Sequence, residues 1–140
     1  MSLSRDLLEA VLHWDVLRGP YAAQSCRAVR SLMLDHIAVA AWGARSDVAR
    51  IMREHATGDL AGAGPQLPIM GTDIRTSAVA AAMANAVAAA CYEFDDTHTG
   101  ASAHPGAVIF PAALAAGALS GCDEHTFVRA AIVGYEVMVR

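Results

Sequence analysis

Residues 77–91 read SAVAAAMANAVAAAC, and this uncharged, alanine-dominated run decides the fold class. Alanine is the strongest helix former, and a helix without a polar face packs in the interior of a protein. A second uncharged stretch covers residues 105–122, and alanine makes up 31 of the 140 residues. The sequence therefore predicts a protein built on closely packed helices of small residues.

The rest of the chain also shows apolar residues at helical spacing, and no strand-like alternation lasts more than a few residues. Gly43 is a predicted C-cap, Ser46 and Asp123 are predicted N-caps, and Pro111 fits a helix only within its first turn. The predicted helices cover residues 7–14, 21–42, 47–56, 75–92, 107–119 and 124–140, and residues 57–71 form a loop with a short extended piece at 67–70. We therefore expect an all-α fold, a bundle of about six helices in a single domain over residues 1–140.

Composition excludes several classes of function. The net charge of −4 and the pI near 5.8 argue against a nucleic acid or an anionic membrane as partner. All ten basic residues are arginine, so no chemistry that needs a lysine can come from these residues. The three cysteines, Cys26, Cys91 and Cys122, are too far apart for a paired metal motif or an iron–sulfur cluster.

Targeting signals are not expected either. The first ten residues carry acidic side chains and no apolar core of a signal peptide. The two uncharged runs are too short, or too interrupted by proline and glycine, for the roughly 20 residues of a membrane span. A cytoplasmic protein is the expectation.

Polar side chains concentrate between the two alanine-rich helices, where residues 93–106 read EFDDTHTGASAHPG. Burial disfavours charged forms, so it moves carboxylates and imidazoles toward titration near neutral pH. A carboxylate and a histidine in such a setting form an acid–base pair. If the fourth helix continues for one turn, Glu93, Asp96 and Thr97 share one of its faces.

Other interpretations of these residues remain open. Asp95, Asp96 and Thr97 could simply cap helix ends, and Pro105-Gly106 could be a turn. Asp95, Asp96, His98 and His104 could ligate manganese, iron or zinc, but no second ligand cluster accompanies them, and no metal is expected. His36, on an apolar helix face, is interpreted as a satisfied core or interface histidine. Arg75 either reaches an anionic ligand or covers a helix surface.

Five segments in order resemble the MmgE/PrpD family, which includes 2-methylcitrate dehydratase, cis-aconitate decarboxylase and iminodisuccinate epimerase. They are AMAN (82–85), EFDDTH (93–98), HPGAV (104–108), PAALA (111–115) and AAIVGYEV (130–137), and LMLDHIAVA (32–40) resembles an early helix of the family. The resemblance implies a large helical domain paired with a smaller α/β lid domain, usually in a homodimer. This chain would be the N-terminal portion of the helical domain.

The resemblance also implies cofactor-free acid–base chemistry on small polycarboxylates. Family members place in the substrate pocket an acid, a threonine and a histidine that correspond to Glu93, Thr97 and His104; the acid is more often Asp. We expect His104 to act as acid or base, with Glu93 and Asp96 setting its tautomer or sharing the proton. Thr97, His98 and Arg75 are the expected substrate-binding residues.

The expected activity is that of a lyase that dehydrates or decarboxylates a tricarboxylic acid such as 2-methylcitrate or cis-aconitate. A substrate with three negative charges would be repelled by the acidic loop unless cations come from elsewhere. A complete site is therefore expected to need more protein than these 140 residues. The alternative is an inactive truncated or split helical module that dimerises or supports a partner chain.

Overall fold

The computed structural model describes residues 2–140 as six helices and one small antiparallel sheet, so the predicted all-α class is confirmed. None of the helices within this range is long and apolar enough to cross a membrane. In chain order the elements are α1 (Leu3–His13), α2 (Ala22–Gly43), α3 (Asp47–Thr57), β1 (Gln66–Pro68), β2 (Arg75–Ser77), α4 (Ala78–Ala90), α5 (Pro105–Ser120) and α6 (Glu124–Val139).

Helix α4 lies at the centre and packs against α2, α3 and α5. A Cβ atom added to Gly43 would overlap the carbonyl oxygen of Ala88, so the backbones of α2 and α4 touch there. Gly43 is therefore the last residue of α2 and a packing residue, whereas the C-cap is Ala44. Helix α4 itself is not buried on every side, because Val79 and Met83 are exposed.

Two predicted N-caps are confirmed by their hydrogen bonds. The backbone N–H of Ala49 donates to Ser46 Oγ over 3.2 Å, and that of Thr126 donates to Asp123 Oδ1 over 2.8 Å. Each side chain satisfies an amide that a helix start leaves unpaired. These caps fix where α3 and α6 begin.

The prediction that a helix begins at Arg75 is wrong. Arg75–Ser77 form β2, which pairs with β1 in the register Leu67 opposite Thr76. Long-range contacts hold this sheet: Met70 N–H donates to Asn85 Oδ1 over 2.8 Å, and Asn85 Nδ2 donates to the Pro68 carbonyl over 3.1 Å. The side-chain amide of Asn85 in α4 thus anchors the extended segment against that helix.

Helix α5 also differs from its prediction, since it begins at Pro105 and holds Pro111 beyond its first turn. Proline at the first position is favourable because its missing N–H would be unpaired there anyway. Pro111 instead leaves the Ala107 carbonyl without its helical donor. Burial compensates, because Pro111 is among the fully buried side chains and Phe110 beside it is completely buried in the core between α2, α5 and α6.

Candidate functional site

The polar loop after α4 folds back on itself before α5 begins. His98 and Ala103 form an isolated antiparallel bridge, in which His98 N–H donates to the Ala103 carbonyl over 2.8 Å. The bridge returns the chain to the start of α5, where His104 is the N-cap residue. The loop thereby brings His104 next to the residues that precede the bridge.

His104 lies against a buried carboxylate. Its Nδ1 is 3.2 Å from Asp95 Oδ1 and 3.4 Å from Thr97 Oγ1. The His104 side chain is 38% exposed, whereas that of Asp95 is 2% exposed. The Asp95 contact is close enough for an ion pair but not aligned as a hydrogen bond, and neither Asp95 oxygen has a hydrogen-bond partner in residues 2–140. The carboxylate beside the imidazole is thus Asp95, not the predicted Asp96.

Asp96 instead ties three elements together. Its Oδ1 accepts the backbone N–H of Gly106 over 2.8 Å, and its Oδ2 accepts the Tyr135 hydroxyl over 2.9 Å. A Cβ on Gly106 would overlap the Asp96 carboxylate, so glycine is required at this position of α5. Burial, the hydrogen bond to Asp96 and the nearby carboxylates raise the pKa of Tyr135, which keeps its hydroxyl protonated as a donor.

Two other predicted site residues belong to the same loop but face solvent. Glu93 is exposed, with φ of 53°, and its N–H donates to the Ala90 carbonyl. Because α4 ends at Ala90, the expected shared helix face of Glu93 and Thr97 does not form. His98 is also exposed, and its Nδ1 accepts the Ala101 N–H over 3.1 Å.

Arg75 is the predicted site residue that the structure does not bring to the loop. It precedes α4, whereas the loop follows it, and the 13 residues of this helix span about 20 Å. Its guanidinium donates to the Gln66 carbonyl. Arg75 therefore belongs to the small sheet.

Sequence reasoning missed His36, which is 2% exposed in α2. Its place in the core is as expected, but both of its ring nitrogens lack a hydrogen-bond partner within residues 2–140, so the expected hydrogen bonds of a core or interface histidine are not found there. Its ring centroid lies 5.6 Å from that of Phe110, which is 5.6 Å from that of Tyr135. Burial lowers the pKa of His36, while the charges of Asp96 and Asp95 act in the opposite direction.

The charges of Asp96 and Asp95 also act on Asp35, the neighbour of His36. Burial first, and then the charges of Asp96 and Asp95, raise its pKa above the ordinary aspartate value. The sequence signal for this region was the Asp35-His36 pair within an otherwise apolar stretch of α2, residues 32–43. Periodicity alone could not show that the pair faces the polar loop.

The alternative of a metal site finds no support in this arrangement. Within residues 2–140, no three His, Cys, Asp or Glu side chains are grouped so that they could hold a metal ion. Asp96 has both oxygens occupied, and His98 binds a backbone amide through Nδ1. What the arrangement offers chemically is an imidazole whose one nitrogen faces a buried acid while its ring edge reaches solvent.

Comparison with known proteins adds one finding. A family model, the MmgE/PrpD N-terminal domain, matches residues 20–140. No curated protein and no solved structure matches the chain. The matched range contains the whole polar loop together with the elements α2–α6 that position it.

Proposed function

Because this chain belongs to the MmgE/PrpD family, we propose that it supplies the N-terminal helical part of a cofactor-free lyase for small polycarboxylic acids. The observation that carries the proposal is the placement of His104, with Nδ1 against Asp95 and the ring partly exposed. An imidazole held in this way offers its second nitrogen to a substrate proton, and histidine is the side chain best suited to proton transfer near neutral pH.

The proposed reaction is a β-elimination. His104 removes the proton on the carbon next to a substrate carboxylate, the electron pair forms a C=C bond, and the β-hydroxyl takes a proton and leaves as water. Glu93, exposed at the start of the loop, is the proposed second proton-transfer group. In a decarboxylation, CO₂ would leave instead, and an acid would protonate the carbon that keeps the electron pair.

Substrate carboxylates would meet the exposed part of the loop. Thr97 and His98 are the proposed ligands, helped by the positive end of α5, whose N-terminal amides favour anions. Asp96 serves the site by holding the loop to α5 and α6. Arg75, at the far end of α4, would not reach this substrate from its present position.

Charge balance supports completion of the site by other protein. The loop that carries His104 holds three carboxylates, those of Glu93, Asp95 and Asp96. Nine of the ten arginines contact groups away from the loop; these are Arg5, Arg18, Arg30, Arg45, Arg50, Arg53, Arg75, Arg129 and Arg140. A polycarboxylate needs cations that these contacts do not provide. We propose that residues 1–140 form the N-terminal part of the helical domain in a larger, two-domain homodimer, and that the cations come from other parts of that protein.

The test is proton exchange at carbon, because dehydration, decarboxylation and epimerisation all move a proton next to a carboxylate. The whole protein, as the cell makes it, is incubated in D₂O with 2-methylcitrate, citrate and cis-aconitate, and the acids are followed by proton NMR. Conversion of one of these acids supports the proposal: dehydration removes the proton signal at that carbon, whereas hydration, decarboxylation or epimerisation leaves deuterium there. An intact dimer that converts and exchanges none of them contradicts it and supports the alternative of a non-enzymatic helical module.

A further inference from the structure

Asp95 is a buried carboxylate with no hydrogen bond to stabilise it. Its side chain is 2% exposed, and both oxygens lack a hydrogen-bond partner in the described part of the chain. Burying an ionised carboxylate without partners costs several kcal/mol, so such a group is retained only where something offsets the cost. Few cationic side chains lie near Asp95.

Among the groups near Asp95, only one remains that can stabilise its buried negative charge. From α2, buried His36 has a lowered pKa and is therefore neutral near pH 7, while Asp35 is another acid. From α6, Tyr135 gives its hydroxyl to Asp96. The remaining group is the imidazole of His104, whose Nδ1 lies 3.2 Å from Asp95 Oδ1.

Thr97 shows which tautomer this geometry selects. Its hydroxyl is placed to donate to the Asp95 backbone carbonyl over 3.4 Å, so its oxygen offers a lone pair to His104 Nδ1, also at 3.4 Å. Asp95 Oδ1 is a second acceptor, 3.2 Å from Nδ1, and although this contact is not aligned as a hydrogen bond, its negative charge favours a hydrogen on Nδ1. A ring nitrogen that faces two acceptors carries the hydrogen, which leaves Nε2 with its lone pair.

We propose that Asp95 is a positioning residue that holds His104 in the Nδ1–H tautomer and so presents Nε2 as the proton-transfer atom. The inference rests on the proposed function for its catalytic consequence, but the tautomer itself is a property of the protein alone. It assigns to Asp95 the role that the sequence suggested for Glu93 and Asp96. When Nε2 takes a proton from substrate, the buried carboxylate stabilises the resulting imidazolium.

The first measurement is the ¹⁵N NMR spectrum of the whole protein labelled at histidine, with His104 assigned by comparison with His104→Gln. We expect a protonated Nδ1 and an unprotonated Nε2 at neutral pH. A neutral ring with hydrogen on Nε2 overturns the proposal without any reference to activity. If the expected tautomer is found but no polycarboxylate is converted, the proposed function fails and the positioning role stands.

The second measurement uses Asp95→Asn, whose amide can donate to Nδ1 and would favour the opposite tautomer. We expect kcat to fall by about 10²–10⁴-fold with KM little changed, as is typical when the carboxylate behind a catalytic histidine becomes an amide. The Nε2–H signal should appear together with that loss. Asp73→Asn, at an exposed loop position, is the matched control. A folded Asp95→Asn protein with normal kcat contradicts the proposal; should it not fold, the wild-type spectrum decides.

Discussion

His36 is a single side chain whose environment sets a pH dependence of stability. Burial lowers its pKa, so the folded protein resists protonation at this residue while the unfolded chain accepts a proton at the ordinary histidine value of about 6.5. Above that pH both states are neutral and the full stability is present. As pH falls below about 6.5 the unfolded state binds more protons, and stability is lost.

We therefore expect the free energy of unfolding to fall between pH 7 and pH 5, and to fall less in His36→Gln, which cannot be protonated. Urea denaturation at the two pH values gives the difference for each protein. His125→Gln, at an exposed position of α6, is the control and should keep the wild-type difference. Equal pH dependence in wild type and His36→Gln would mean that His36 is accessible to protons in the folded state.

At the scale of elements, the link between the loop, α5 and α6 runs through one carboxylate. Tyr135→Phe removes the hydroxyl that donates to Asp96 Oδ2 and leaves a partly buried oxygen without its donor. We expect a loss of about 1–3 kcal/mol in the free energy of unfolding. Tyr21→Phe is the matched control, because Tyr21 is 73% exposed, and its loss should be within about 0.5 kcal/mol. Similar values for both variants would show that this link adds no stability.

Elements fixed by local contacts could be predicted from sequence, and elements fixed at long range could not. Ser46 and Asp123 cap helices through bonds to amides three residues away, so their signals lie within a few positions. The strand at Arg75–Ser77 exists because β1 and Asn85 hold the extended segment against α4. The local pattern of apolar residues carries no information about such long-range contacts. The start of α5 at Pro105 was missed because Pro-Gly is also a common turn.

The site was predictable as a region but not as a set of contacts. Composition placed the chemistry in residues 93–106, and His104 and Thr97 do lie close together there. Which of two adjacent aspartates faces the imidazole depends on the path of the chain after α4, which passes through a left-handed conformation at Glu93 that the sequence does not signal. His36 and Tyr135 approach the loop only through packing of α2 and α6, which no local pattern reports.

At the scale of the whole molecule, large apolar side chains remain on the surface. Leu34, Trp42, Val79 and Leu119 are each more than half exposed, and α1 buries none of its residues. Where such side chains form a contiguous patch, they pack against other protein. We expect the whole protein to be a homodimer, with a light-scattering mass twice that of one chain at micromolar concentration. A mass of a single chain under those conditions would contradict this expectation.

The role of His104 as the proton-transfer residue is tested most directly by the turnover of His104→Ala in the whole protein, with the acid that the wild type converts and with His125→Ala as control. We expect kcat to fall by at least about 10²-fold, the contribution typical of a general acid or base, while the control keeps wild-type activity. Unchanged kcat in a folded His104→Ala protein would contradict it.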